Sequence, residues 1–236
     1  MNTKRIMKFL KDVAAHNNRE WMTEHKKEYL TCKEEFEKGV AELIARIATF
    51  DPSVAHLEPK DCIYRFNRDT RFSEDKSPYK RHFGAYICAK GKKSLCGGYY
   101  IHLQPGRSFY SVGAYWLPTN ILTSVRNEIM GNIDAWRKAV ENGKFVNLYG
   151  YPNEGTMSDE ELTEKGFGLA SLKTCPKGFP KDYEFVEYLR MKDYATWHRV
   201  EDDYFSDEHW LDHLEEVFKV AKPMLDIINP VIEDYE

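Results

Sequence analysis

The stretch His82–Pro118, "HFGAYICAKGKKSLCGGYYIHLQPGRSFYSVGAYWLP", decides the fold class. Its apolar residues recur every second position, which is the repeat of a half-buried strand rather than of a helix. Phe83, Ala85, Ile87 and Ala89 alternate with His82, Gly84, Tyr86 and Cys88. Tyr99, Ile101 and Leu103 alternate with Tyr100, His102 and Gln104, and Val112 and Ala114 alternate with Ser111, Gly113 and Tyr115. "QPGR" supplies a short turn between the last two runs. With "DCIYRF" just upstream, the pattern predicts an antiparallel meander of four strands over residues 61–117. One face is aliphatic and the other aromatic and polar. The second face carries Arg65, Asn67, Tyr86, Tyr100, His102 and Tyr115, with Gly84 and Gly113 expected to leave room for a ligand. Two readings of that face stay open: a concave ligand surface, or a face covered by helices, although doubly covered sheets read more uniformly aliphatic.

On either side of the meander the period changes to that of a helix. Ile6, Phe9, Leu10 and Val13 mark a short first helix, ending near "HNN". Asn17 followed by Glu20 resembles a capping box, and Trp21, His25, Tyr29, Cys32, Phe36, Val40, Leu43 and Ile47 trace one stripe of a long helix from about Arg19 to Ala48. Beyond Pro118, "PTNILTSVRNEIMGN" and "IDAWRKAVEN" predict two short helices. Gly143 to Pro180 reads as ordered loop, "YEFVEYLRMK" as a short helix and "YATWHRV" as an extra strand. A last helix is expected from Ser206 as N-cap, with Pro223 kinking it. The expectation is an α+β fold in a single domain, 1–236: a helical N-terminus (1–50), an antiparallel sheet of four or more strands (61–117), and a helical and mixed remainder (118–236).

Thirty-four Lys and Arg against 38 Asp and Glu give a formal charge of −4, so the chain as a whole does not attract nucleic acid or an anionic membrane. Any anion binding must be local. No apolar run approaches membrane-spanning length, and Lys8, Lys11 and Asp12 interrupt the first one, so the cytoplasm is the expected location. The five cysteines are scattered without a C-x-x-C pair and are expected to be unpaired thiols. No P-loop, dinucleotide fingerprint, H-E-x-x-H or G-x-S-x-G is present, so no cofactor and no metal is expected. His209 and His213, four apart, read as solvated helix-face residues, and the acidic run Glu201–Glu208 as a solvated loop and helix start.

Charge is concentrated in the turn that leads into the meander. Between Tyr64 and His82 lie Arg65, Arg68, Arg71, Lys76, Lys80 and Arg81 against Asp69, Glu74 and Asp75, a local excess of three positive charges in an acidic protein. Arginine forks suit carboxylate or phosphate. The same residues would equally pin a long loop by pairing Asp69 and Asp75 with their cationic neighbours, and both readings remain open.

"NNREWMTEHKKEY", "RFNRDTRFSEDKSPYKRHFGAYI", "YYIHLQPGRSFYSVGAYWLP" and "CPKGFPKDYEFVEYLRMKDY" together resemble the bacterial family known as domain of unknown function 2461. The resemblance covers nearly the whole chain and centres on R-D-T-R-F-S-x-D-K-S-P-Y-K, kept here from Arg68 to Lys80 with Glu74 in the variable slot. It implies a mixed α/β cytoplasmic protein and brings no activity with it. Two functions follow from the residues. One is an enzyme for an anionic substrate, with Arg65, Arg68, Arg71, Lys76, Lys80, Tyr86 and Tyr115 binding, Asp69 or Asp75 as general base and His102 or Tyr79 as proton donor. The other is a non-catalytic module for a peptide, glycan or single-stranded nucleic acid, in which the charged turn is a structural ion-pair network. Oligomeric state is left open by the sequence.

Overall fold

The computed structural model describes residues 1–157 and 162–236. Residues 158–161 fall in the Gly143–Pro180 stretch expected to be loop, and for them that expectation lies outside the described residues.

The chain opens with α1 (Thr3–Ala15), whose Ile6, Phe9, Leu10 and Val13 are fully buried; the Asn2 side chain caps it by accepting from the Arg5 N–H. The long helix expected next is two helices, α2 (Arg19–Glu24) and α3 (Lys26–Ile47), parted at His25. His25 sits at the break with non-helical φ −98° and ψ 12°. Its backbone N–H and its ring Nδ1 both reach the Trp21 carbonyl, the ring at 2.8 Å, and its indole neighbour Trp21 stacks on it at 4.0 Å. The capping expectation shifts by one residue as well. Asn18 caps α2 through the Trp21 N–H, whereas Asn17 is used elsewhere: its side-chain amide accepts from Tyr79 N and donates to Tyr79 O, at 3.0 and 2.9 Å.

The first expected strand, "DCIYRF", is corrected. Pro59 at the first helical position and a reciprocal Glu58–Asp61 capping box favour a helical turn, α4 (Pro59–Cys62), and only isolated bridges follow, Ile63 to Ala85 and Asn67 to Tyr79. The other three form as read: β1 (Phe83–Ile87), β2 (Gly98–Leu103) and β3 (Phe109–Ala114). Then come α5 (Thr119–Gly131), α6 (Ile133–Val140), α7 (Gly143–Tyr149), β4 (Lys165–Phe167), α8 (Val186–Arg190), β5 (Tyr194–Arg199) and α9 (Trp210–Glu233). Two of these, α7 and β4, lie in the stretch expected to be loop. α9 starts four residues after Ser206, with Asp207 accepting from the His209 N–H, and it continues through both Pro223 and Pro230.

Among the described residues the strands form one antiparallel sheet in the order β1-β2-β3-β5-β4. α3 packs on β1 and α9 on β3, burying Ala85, Ile87, Ile101, Leu103, Val112 and Ala114 completely. Each larger side chain so buried contributes about 1.5–3 kcal/mol. These contacts fix the register, because a slip of one residue would turn His102 and Tyr100 into the helices. No described helix is long and apolar enough to cross a membrane. All five cysteines are free thiols, and burial pushes Cys62 up to about 12 and Cys32 and Cys96 to about 11, which suppresses their reactivity.

Candidate functional site

Helices cover one face of the sheet; the aromatic-polar face instead walls a cavity of about 460 Å3. Its floor is set by register. Gly84 pairs with His102, His102 with Phe109 and Phe109 with Arg199, while Tyr86 pairs with Tyr100 and Tyr100 with Ser111, so these side chains all leave the sheet on the same side. Trp197 of β5 and Leu169 just after β4 complete the far wall. The aromatic rings lie down across glycines of the next strand. A Cβ on Gly84 would come within 2.6 Å of the Tyr100 hydroxyl, and one on Gly166 within 2.0 Å of the Trp197 ring. The expectation that Gly84 leaves room for a ligand is therefore corrected, since Tyr100 fills the space over it, while Gly113 does line the cavity. Gly113, at φ +140°, is needed because β5 approaches so closely that a Cβ would lie 2.1 Å from the Tyr194 carbonyl oxygen.

Within the cavity, polar groups of β2 are linked in a row. The Tyr100 hydroxyl lies 2.9 Å from His102 Nδ1, and His102 Nε2 lies 2.9 Å from Gln104 Oε1. His102 is 9% exposed, stacked on Phe109 at 4.6 Å and set against the His82 ring at 4.1 Å. Burial, the stronger cause in each case, holds both imidazoles neutral: His102 is pushed down to about 4, helped by Arg107 and Lys80, and His82 to about 2, helped by His102 and Lys80. Tyr86 gives the cavity its ring, while its hydroxyl is engaged with the carbonyls of Cys96 and Gly113 at 2.7 and 3.0 Å. Tyr115 stands half-exposed at the rim, edge-on to Trp116, which is 77% exposed and held at φ +58°.

A family model described as "Conserved hypothetical protein (DUF2461)" matches residues 5–226. The chain belongs to this family. No curated protein and no solved structure matches it.

In this DUF2461 chain the cavity wall also bears Arg199, Arg107 and Lys92, and among the described residues no carboxylate lines it. Arg199 donates to the carbonyls of Gly106 and Leu162, and Lys92 to that of Lys60, so neither charge is neutralised by these contacts. Lys80 sits beside them, 5.3 Å over the ring of Tyr64, itself a cavity residue. It is half-buried and pairs with no carboxylate among the described residues. Desolvation and then the Arg65 charge lower its pKa.

The rest of the charged turn does not line the cavity. Arg68, a quarter exposed, donates to Asp75 at 2.6 Å, to the Ser77 hydroxyl at 2.6 Å and carbonyl at 3.3 Å, and to Ser73 at 3.1 Å. Arg71 clasps Asp69 at the surface, with Arg65 3.9 Å from the same carboxylate. Lys76 caps the Thr70 carbonyl. The Ser77 backbone and side chain and the Arg68 guanidinium pull Asp75 down to about 2, and Arg71 holds Asp69 below the ordinary carboxylate range. Both are thus poor bases. Tyr79 stacks on Phe66 at 6.0 Å, within the core, and is not brought to His102. The sequence did not single out His82, Gln104, Phe109, Arg107, Trp197 or Arg199 as site residues. The first three lie in phase with His102, so alternation alone could have found them; the last two needed the long-range pairing of β5 with β3. His209, at the N-cap of α9, and His213 within it are exposed neighbours, and His209 Nδ1 meets Asp212 at 3.3 Å.

Proposed function

We propose that this protein binds a small organic anion with a flat apolar body in the sheet-face cavity. The observation that carries this reading is Lys80, a half-buried ammonium without a carboxylate partner among the described residues, poised beside an aromatic cavity. An unpaired, partly desolvated cation costs the empty protein free energy, and an anion repays it on binding. Arg199 and Lys92 add charge along the wall, and Tyr86, Tyr100, Phe109 and Trp197 offer faces on which a planar group stacks. The five free thiols support a reducing setting, the bacterial cytoplasm.

The test is a thermal-shift screen against nucleotides, phosphorylated metabolites, aromatic carboxylates and sulfated sugars. A ligand at a hundredfold excess over its Kd stabilises by about 2.7 kcal/mol. The shift should vanish in Lys80→Met and Trp197→Ala and persist in Arg71→Gln. The opposite pattern would assign the anion to the arginine forks of the turn. The alternative role for that turn, a structural ion-pair network, is favoured by the four contacts Arg68 makes within it.

A further inference from the structure

We propose that Tyr100, His102 and Gln104 form a proton relay, in which the Tyr100 hydroxyl exchanges a proton with an anionic substrate bearing an acidic O–H or a C–H beside a carbonyl. This rests on the cavity being the ligand site. The three residues are alternate positions along β2 and its continuation, so strand geometry alone sets them in line on the cavity face. Gln104 Oε1 can only accept, which places a hydrogen on His102 Nε2; in the neutral ring Nδ1 is then an acceptor, and the Tyr100 O–H donates to it. A hydroxyl whose proton already points at a base, held by a third group, is the arrangement that activates a side chain for proton or group transfer. Tyr64 and Tyr86 differ in this respect, because their hydroxyls face backbone carbonyls, which cannot take up a proton.

The step balances within the chain. The substrate proton moves to Tyr100 Oη as the hydroxyl proton of Tyr100 moves to His102 Nδ1, leaving a substrate anion and an imidazolium whose Nε2–H stays on Gln104. The groups facing His102 set its resting basicity. His82 and Lys80 approach from the β1 side, Arg107 from the β2–β3 turn, Phe109 from β3 and Arg199 from β5, while Tyr100 and Gln104 flank it on its own strand. Burial, helped by Arg107 and Lys80, disfavours imidazolium in the resting site. A bound anion adds negative charge beside His102 and raises its basicity further. Lys80 and Arg199 then stabilise the anion formed.

The experiment is benzenesulfonyl fluoride labelling of the ligand-free protein, read residue by residue by peptide mass spectrometry across pH 3.5–9, so that the His102 titration falls inside the range. Tyr100 should label at least tenfold faster than the more exposed Tyr64 and Tyr115. His102→Asn should lower its rate at least tenfold and flatten the pH profile, and Gln104→Leu should shift that profile. Gly84→Ala is the second variant should His102→Asn fail to fold: its methyl displaces the Tyr100 hydroxyl from His102 without removing a polar group, and the same tenfold loss is expected. Tyr100 labelling that is unchanged in folded His102→Asn or Gly84→Ala, or slower than that of Tyr64 or Tyr115, overturns the relay. Because no ligand is present, that result leaves the thermal-shift outcome untouched, and a screen without hits leaves the labelling result standing.

Discussion

Replacing Arg68 and Arg71 one at a time by Gln separates an internal staple from a surface clasp. Arg68 is a quarter exposed and holds Asp75, Ser77 and Ser73 across the loop, whereas the Arg71 side chain is 75% exposed, clasps Asp69 two residues back and lies over the exposed Phe72 ring. A hydrogen bond to a charged group is worth about 1.5–3 kcal/mol, and exposure of Asp75 cuts the ion-pair part towards the surface range. Arg68→Gln should therefore cost about 2 kcal/mol. At roughly 2–4 °C per kcal/mol for a chain of this size, Tm should fall by about 4–8 °C, while Arg71→Gln should leave it unchanged. The pH dependence has a defined sign. Asp75 is depressed from 3.8 to about 2 in the folded protein, so its contribution is present above pH 3.8 and disappears as pH falls towards 2. The Asp75 part of the gap between wild type and Arg68→Gln should shrink over that window while the part from the Ser77 and Ser73 contacts remains, and high salt should narrow the gap at neutral pH. Urea melts at pH 7 and pH 3 measure both. An Arg71→Gln loss equal to that of Arg68→Gln would refute the assignment of Arg68 as the staple.

Gly113→Ala should destabilise by roughly 3 kcal/mol or more, from φ strain plus overlap with β5, and Gly84→Ala by under about 1 kcal/mol because only a side-chain end must move; chemical denaturation that ranks them the other way contradicts the packing described. His82 and His102 are held neutral well below 6.5, so the unfolded chain binds more protons and stability should fall by about 1 kcal/mol per pH unit per histidine as pH drops from 6.5 towards 4. A His102→Gln variant should show a shallower acid slope, and a slope equal to that of wild type counts against burial as the cause.

Much of the sheet was legible because its signal is local. Alternation in His82–Ala114 placed three strands and both faces correctly, since one buried face enforces period two along the chain. The strand misread at Asp61–Phe66 carries apolar residues of the right kind. Pro59 and the Glu58–Asp61 box simply make a turn of helix there more favourable. The break at His25 escaped the helical stripe because the stripe of Trp21, His25 and Tyr29 runs across it and the i→i−4 bonds to Trp21 and from Tyr29 persist, so only the local φ and ψ of His25 mark it. Of the cavity wall, phase placed Tyr86, Tyr115 and His102 on the correct face. Trp197 and Arg199 were not, because "YATWHRV" shows a strand without showing which neighbour it joins.

Site and scaffold were posed as alternatives for the charged turn, but alternation through its last residues makes them compatible. Tyr79 turns its ring to Phe66 and the core while Asn17 holds its backbone N–H and carbonyl, a two-point grip that a strand neighbour would otherwise provide. Phe83, four residues on, is likewise buried against Phe66 and Phe36. The even positions between and after them, Lys80, His82 and Gly84, fall on the other side, towards Tyr64, His102 and Tyr100. The Arg68 staple sets the loop one hydrogen bond earlier, with Arg68 N–H on the Pro78 carbonyl and Lys80 N–H on that of Phe66. Loosening the staple therefore changes where the Lys80 ammonium stands relative to the cavity without touching the cavity wall. A loop rich in cations can pair some with its own carboxylates and, in doing so, hold Lys80, half-buried and without a carboxylate partner among the described residues, beside the cavity where the proposed anion would meet it.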